Sequence, residues 1–322
     1  MSEVPLPSCP CALFARATEW AALAGARWLG RDDEAAAGEA AGSAMMAGLS
    51  QLPISGQIVI GPDEGNALQA GTGVGAGGEA FDLAVDPLEG SGVVARGGPG
   101  AMNAVGPTGS LLRLPDMYMR RMAVGPRVKG RIDLMRPMAE NIAAVAEAFG
   151  RNTNDVTTIV LDRPRHHDLI EEIRAAGARI KLIQDGDVTA SISAAIRGTN
   201  DHLAVGIGGT RQAVVSAAAL RCLGGDLQAQ LWPTTRGEIE EAAAHGIDDV
   251  NRVFSADDLA PSEVIVVATG VSNGDLLRGV RFLADSARTH SLVMCMRCNW
   301  VRFAESIHFF ARDRKEEVRL LG

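Results

Sequence analysis

Phe81-Asp82-Leu83-Ala84-Val85-Asp86-Pro87-Leu88-Glu89-Gly90-Ser91 is the stretch on which the reading of this chain turns. Its first half reads as a short apolar strand, and Pro87 predicts a turn directly after Asp86. Asp86 and Glu89 flank a Pro-Leu pair, which puts two hard oxygen ligands close together on a rigid turn, a donor set suited to Mg²⁺ or Mn²⁺. Gly90 lets the backbone approach a phosphate closely, and Ser91 carries a hydroxyl that could orient a water. The same spacing also fits a capped turn with solvated carboxylates.

Upstream, alanine- and leucine-rich Thr18 to Leu29 predicts a helix ending near Gly30, and Ala35 to Leu49 a second. Gln57 to Gly61 reads as a strand and 61–79 as a glycine-rich loop. From about Arg131 the pattern alternates. Met138 to Phe149, Asp168 to Gly177 and Gln212 to Leu223 read as helices, and Val156 to Leu161, Ile180 to Ile183, Leu203 to Ile207 and Val264 to Ala268 as strands. Repeated strand, loop and helix units predict an α/β second half with loops gathered at the carboxyl ends of strands. The expected division is 1–130, carrying the metal and phosphate site, and 131–322, an α/β part binding a sugar phosphate.

Composition narrows the partners. The chain has 322 residues, 47% hydrophobic, with a net charge of −8, enough for one large core or two modest ones. That charge disfavours nucleic acid and anionic membrane surfaces, which reward a basic face. No apolar run is long enough to span a membrane. The first eleven residues, with Pro5, Pro7 and Pro10, lack the pattern of a secretory signal. Five scattered cysteines do not make a disulfide framework, so a reducing, cytoplasmic location is expected. Cys295-Met296-Arg297-Cys298 has C-x-x-C spacing without a second such pair, and reads as strand or strand-end thiols. Cys9-Pro10-Cys11 sits at a terminus expected to fray and carries little weight.

Three further loops hold polar groups at strand ends. Arg163-Pro164-Arg165-His166-His167 offers bidentate arginine to a phosphate, and Asp185-Gly186-Asp187 offers acceptors to sugar hydroxyls. Gly206-Ile207-Gly208-Gly209 precedes a helix whose start has free N–H groups, yet is followed by Thr210-Arg211-Gln212, so it is neither a P-loop nor a dinucleotide fingerprint. Each loop alone fits an ordinary turn; together they favour an anionic sugar. His166 and His167 are candidates for acid catalysis, although adjacent histidines in an arginine-rich loop are more often hydrogen-bonding or surface residues.

These residues resemble the class II fructose-1,6-bisphosphatase family, metal-dependent enzymes related in fold to the inositol monophosphatase group. The resemblance spans nearly the whole chain, from Ala17-Thr18-Glu19-Trp20 and Ile58-Val59-Ile60-Gly61 through Asp86 to Gly90 and Pro115-Asp116-Met117-Tyr118. It continues through Pro164-Arg165-His166, Asp185-Gly186-Asp187, Gly206 to Gly209, Ala268-Thr269-Gly270 and Glu305-Ser306-Ile307-His308. It implies an α/β, layered αβαβα sugar-phosphatase fold with an inositol-monophosphatase-like N-terminal part, and a homo-oligomer. It also implies metal binding by Asp86 and Glu89, catalysis aided by Ser91 in place of the family's Thr, and sugar bisphosphate held by Gly90, Tyr118, Pro164, Arg165, His166, Asp185, Gly186 and Asp187, with Gly209 near a phosphate.

The departures lie where metal chemistry belongs. Matched to the family, Glu34 stands at an early-helix Lys and Gly38 at a metal-binding Asp; Glu39 is turned about 100° away on a helix. Pro62 replaces a metal-binding Glu, with Asp63 and Glu64 the nearest carboxylates, and Gln212 replaces another. Arg211 stands beside Gln212, where positive charge could bind phosphate without an ion. The expectation is a divergent protein acting on a phosphorylated sugar, with at most one weakly bound Mg²⁺ or Mn²⁺ and no nucleotide cofactor. The alternatives are a catalytically silent sugar-phosphate-binding paralogue, and a metal-free isomerase or lyase.

Overall fold

The computed structural model describes residues 9–62 and 65–310; Asp63 and Glu64 lie outside the described residues. Helices run over Cys11–Ala26 (α1), Glu34–Leu49 (α2), Ser91–Ala95 (α3), Met138–Phe149 (α4), His167–Ala175 (α5), Asp187–Ala195 (α6), Thr210–Leu223 (α7), Arg236–Ala244 (α8) and Ala256–Leu259 (α9). Strands run over Ile54–Ile60 (β1), Gly73–Val74 (β2), Glu79–Glu89 (β3), Met102–Thr108 (β4), Tyr118–Val124 (β5), Thr157–Leu161 (β6) and Arg179–Ile183 (β7). They continue with Leu203–Gly209 (β8), Asp226–Leu231 (β9), Val253–Ser255 (β10), Ile265–Gly270 (β11), Arg281–Phe282 (β12), Ser286–Cys295 (β13) and Trp300–Phe309 (β14).

The strands form two mixed sheets, one ordered β12-β13-β11-β4-β3-β1-β2 with β14 also on β13, the other β10-β9-β5-β8-β6-β7. Phe14, Ala21 and Met45 of α1 and α2 pack on Ile58, Leu83 and Val105 of the first sheet. The opposite face, with Ala84, Ala104 and Ala268, meets α7, α6 and the second sheet through Val214, Val188 and Met119. Beyond the second sheet, Val124 and Val160 pack on Ile142 of α4 and Ile173 of α5. The result is the layered α/β arrangement expected, α-β-α-β-α. Small side chains set the tight outer layer: a Cβ on Gly48 of α2 would stand 2.6 Å from Ala17 Cα of α1.

The proline turn expected after Asp86 is instead a continuing strand. β3 runs through Pro87 to Glu89, with a register shift against β4 between Asp86 and Glu89. The last pairing of β3 with β1 is Ala84 with Ile60, so the missing Pro87 N–H lies beyond that ladder and the bulge absorbs it on the other side.

The sheets do not divide the chain at residue 130. The first draws β11 to β14 from the second range, and the second begins with β5 at Tyr118. The two cysteine pairs, read as independent, meet. Cys9 Sγ is 3.6 Å from Cys295 Sγ and Cys11 Sγ is 3.8 Å from Cys298 Sγ. Cys295 does end a strand, but the expectation that it lacks partners is overturned: the partners come from the other end of the chain.

Candidate functional site

The bulge at the end of β3 turns both acidic side chains inward, leaving Asp86 3% and Glu89 4% exposed. Asp86 Oδ2 accepts a hydrogen bond from Gln212 Nε2 at 2.9 Å and lies 3.8 Å from Arg211 Nε. Both donors stand in the first turn of α7, and Arg211 Nη1 also donates to the Gly61 carbonyl at 3.3 Å. Glu89 Oε1 accepts from Val188 N at 2.6 Å, while Oε2 accepts from Thr189 N at 3.2 Å and Thr189 Oγ1 at 3.1 Å. Glu89 thereby caps α6, whose own N-cap is Gly186, a residue without a side chain to do so. Burial, then the Asp86 charge, push the Glu89 carboxyl up to about 8, against the Val188 N–H, which lowers it.

Gly90 has φ +88° and hands the chain from β3 to α3, a conformation glycine adopts without strain. Ser91 opens α3, but its hydroxyl donates to Glu34 Oε1 at 2.6 Å. The hydroxyl expected to orient a water is thus engaged by the residue that replaces the family's Lys.

Asp185 accepts from Gly186 N at 2.9 Å, and burial raises its carboxyl above the ordinary range. Asp187 is the first residue of α6 and ion-pairs with Arg121, whose Nη1 donates to the Gly209 carbonyl at 3.4 Å. Arg121, 3% exposed, joins the Asp187 and Gly209 loops and was missed in the sequence. A charged residue inside the apolar strand Tyr118 to Val124 was the available signal.

Arg165 closes its fork on the Ile207 carbonyl, from Nε at 3.0 Å and Nη2 at 2.9 Å, and its guanidinium lies 5.0 Å from the Tyr118 ring centroid. Tyr118 is exposed and pairs in register with Gly209. Pro164 starts a short 3₁₀ turn beside them. His166 is fully buried between backbone groups: Nδ1 is 2.8 Å from the Leu161 carbonyl, and Ile207 N donates to Nε2 at 2.7 Å. That pairing fixes a neutral ring with its proton on Nδ1, and burial lowers its pKa. Both ring nitrogens, expected to serve sugar contact or acid catalysis, are thus engaged by backbone groups. His167 is exposed beside Glu171.

Two cavities approach this cluster. One, of about 490 Å³, is lined by Arg96, Lys181, Asp185, Gly186, Thr189 and Asn273 among others. The other, of about 420 Å³, includes Gly61, Pro62, Pro115, Thr210, Arg211 and His245. Asp185 and Gly186 therefore face one cavity and Arg211 the other, while Tyr118, Pro164 and Arg165 line neither.

Among the described residues, the donor set around Asp86 and Glu89 is already engaged and does not suit a divalent ion. Both Glu89 oxygens and Oδ2 of Asp86 are taken by N–H or O–H donors. Gly38 on α2 brings no ligand atom, Pro62 none, and Gln212 points its amide N–H toward Asp86. Hard cations bind through several converging oxygens; here an arginine and an amide occupy the approach to Asp86.

The model of the family described as bacterial fructose-1,6-bisphosphatase, glpX-encoded, matches residues 11–308. A D-fructose 1,6-bisphosphatase class 2/sedoheptulose 1,7-bisphosphatase of Synechococcus sp. (strain JA-3-3Ab) is 41% identical over 94% of this chain and 96% of its own length. Proteins of the same name from Thermosynechococcus vestitus and Synechocystis sp. (strain ATCC 27184 / PCC 6803 / Kazusa) are 39% and 37% identical, covering 92% and 90% of this chain and 95% and 93% of their own. Among the described residues no helix is long and apolar enough to cross a membrane.

Proposed function

The chain belongs to the family of glpX-encoded, class II bacterial fructose-1,6-bisphosphatases, and from that membership we propose that it binds a phosphorylated sugar without the family's divalent-metal hydrolysis. The observation that carries this reading is the pairing of Asp86 with Gln212 Nε2 at 2.9 Å and Arg211 Nε at 3.8 Å. A guanidinium neutralises the carboxylate as an ion would, and its planar fork suits phosphate, but it provides no Lewis acid and activates no water. Ser91, tied to Glu34, supplies no free hydroxyl in compensation.

The groups that remain are binding groups. Arg96 brings positive charge to the larger cavity, where Lys181 is paired with Asp201 and Asp275, and the Asp185 loop brings acceptors for hydroxyls. Arg211 and the N-terminal turn of α7 bring donors to the smaller one. Fructose 1,6-bisphosphate and sedoheptulose 1,7-bisphosphate, which the relatives' names carry, are the first ligands to test.

The test is phosphate release from a panel of sugar phosphates with Mg²⁺ or Mn²⁺, using the native chain and Asp86→Ala. The proposal expects no metal-dependent release from either. Release that needs Mn²⁺ and disappears in Asp86→Ala would instead establish a divergent phosphatase with one weakly held ion at Asp86 and Glu89.

A further inference from the structure

We propose that Cys9, Cys11, Cys295 and Cys298 form a structural zinc site that clips the start of α1 to the hairpin between β13 and β14. The four sulfur atoms all lie within 4.8 Å of one another. A regular tetrahedron of thiolates around zinc, with bonds of about 2.3 Å, has sulfur–sulfur edges of ~3.8 Å. Two pairs between the ends of the chain stand at 3.6 and 3.8 Å, joining residues 286 and 287 positions apart. A disulfide would need its sulfurs at ~2.05 Å, far inside either distance. Four sulfur donors and no oxygen or imidazole select zinc over magnesium, calcium or manganese.

The surroundings fit that role. Cys295 and Cys298 sit at the two ends of a tight turn in which Cys298 N donates to Cys295 Sγ at 3.3 Å, an N–H that would support a metal-bound thiolate. Cys11 and Cys295 are buried, and Cys9 and Cys298 are half-buried. Arg297, between the hairpin cysteines, is held by Glu79 and by Glu263, which fixes the turn that carries them. The sole remaining cysteine, Cys222, stands apart in the other core.

The site is separate from Asp86. Across the first sheet Asp86 pairs with Ala104, Ala104 with Ala268 and Ala268 with Leu292, so Cys295 lies three strands over and three residues along, roughly 15–20 Å away. It also belongs to the α1 and α2 core, whereas Gln212 reaches Asp86 from the α7 side. The zinc is therefore structural, fixing the first described residues to the sheet without taking part in ligand binding.

The test uses the full chain, produced with zinc in the medium and purified under reducing conditions without chelator. Elemental analysis should find about one zinc per chain, and X-ray absorption at the zinc edge should find four sulfur neighbours at ~2.3 Å. Replacing zinc with Co²⁺ should give thiolate-to-cobalt charge transfer and intense tetrahedral ligand-field bands. Cys295→Ser/Cys298→Ser should lower bound zinc at least tenfold, whereas Asp86→Ala should leave it unchanged. Since that double variant could fail to fold, the absorption spectrum of the native chain decides the matter. Protein produced with zinc in the medium that holds none, zinc among oxygen and nitrogen ligands, iron in its place, or disulfides Cys9–Cys295 and Cys11–Cys298 would each overturn the assignment.

Discussion

The described residues hold two clusters of metal-type side chains, and each reverses what its motif suggests. Around Asp86 the motif is the one whose resemblance implies metal, yet three-dimensional neighbours have filled the bulge with donors: Gln212, Arg211, Val188 and Thr189. Around Cys295 the motif is half a site, yet the fold supplies the other half from Cys9 and Cys11. Competence to bind a metal belongs to the set of lone pairs that converge at a point, and a short motif fixes only part of that set. A carboxylate facing an arginine is satisfied without an ion; four thiols converging on one point, two of them buried and two half-buried, offer a site for one.

The largest change should come from breaking the contrast on the acidic side. Gln212→Glu with Arg211→Ala removes the donors from Asp86 and adds a carboxylate, so Mn²⁺ affinity, read by calorimetry, should rise by at least ~10-fold; no change would mean that the donors are not what excludes the ion. Next is proton linkage at Glu89. Its folded-state carboxyl stands at about 8 against an ordinary 4.5, so the folded chain holds the proton more tightly. The associated stability is complete below 4.5 and is lost as pH rises through 8, with a slope of up to ~1.4 kcal/mol per pH unit between them. Denaturant melts of Glu89→Gln against the native chain should show that slope removed; parallel pH profiles would contradict it.

His166→Ala should cost about 2–4 kcal/mol of stability, because it opens a buried cavity and strands the Leu161 carbonyl and the Ile207 N–H. Loss of sugar-phosphate binding without loss of stability would return His166 to the binding site. Ser91→Ala should have the smallest effect, under ~1.5 kcal/mol, since it deletes one partly exposed hydrogen bond to Glu34. A larger loss, or a loss of catalysis, would show that the hydroxyl does more than pair with Glu34.

Much of the fold was legible because its signals are local. The helices over Met138–Phe149 and Thr210–Leu223 and the strands β6, β7 and β8 were read close to their ends, since apolar periodicity and flanking glycines mark them. The return of β11 to β14 to the first sheet was not legible, because pairing between distant strands leaves no mark within either one. At the site, the resemblance pointed to Asp86 and Glu89 and to Gly38, Pro62 and Gln212 as positions where ligands are replaced. It could not tell that Glu89 caps α6, that Arg121 bridges Asp187 to Gly209, or that His166 is consumed by backbone. Each of those depends on contacts between segments dozens of residues apart. Pro87 misled for a related reason: a proline ends an isolated strand, while a bulge beyond the reach of β1 accommodates it.

The central claim, that Arg211 and Gln212 have taken the place of an ion at Asp86, is tested most directly by titrating the chain with fructose 1,6-bisphosphate, first in EDTA and then in excess Mn²⁺, while measuring phosphate in the same sample. The account predicts the same affinity in both, weakened by Arg211→Ala, with no phosphate released. Binding or phosphate release that appears only with Mn²⁺ would contradict it.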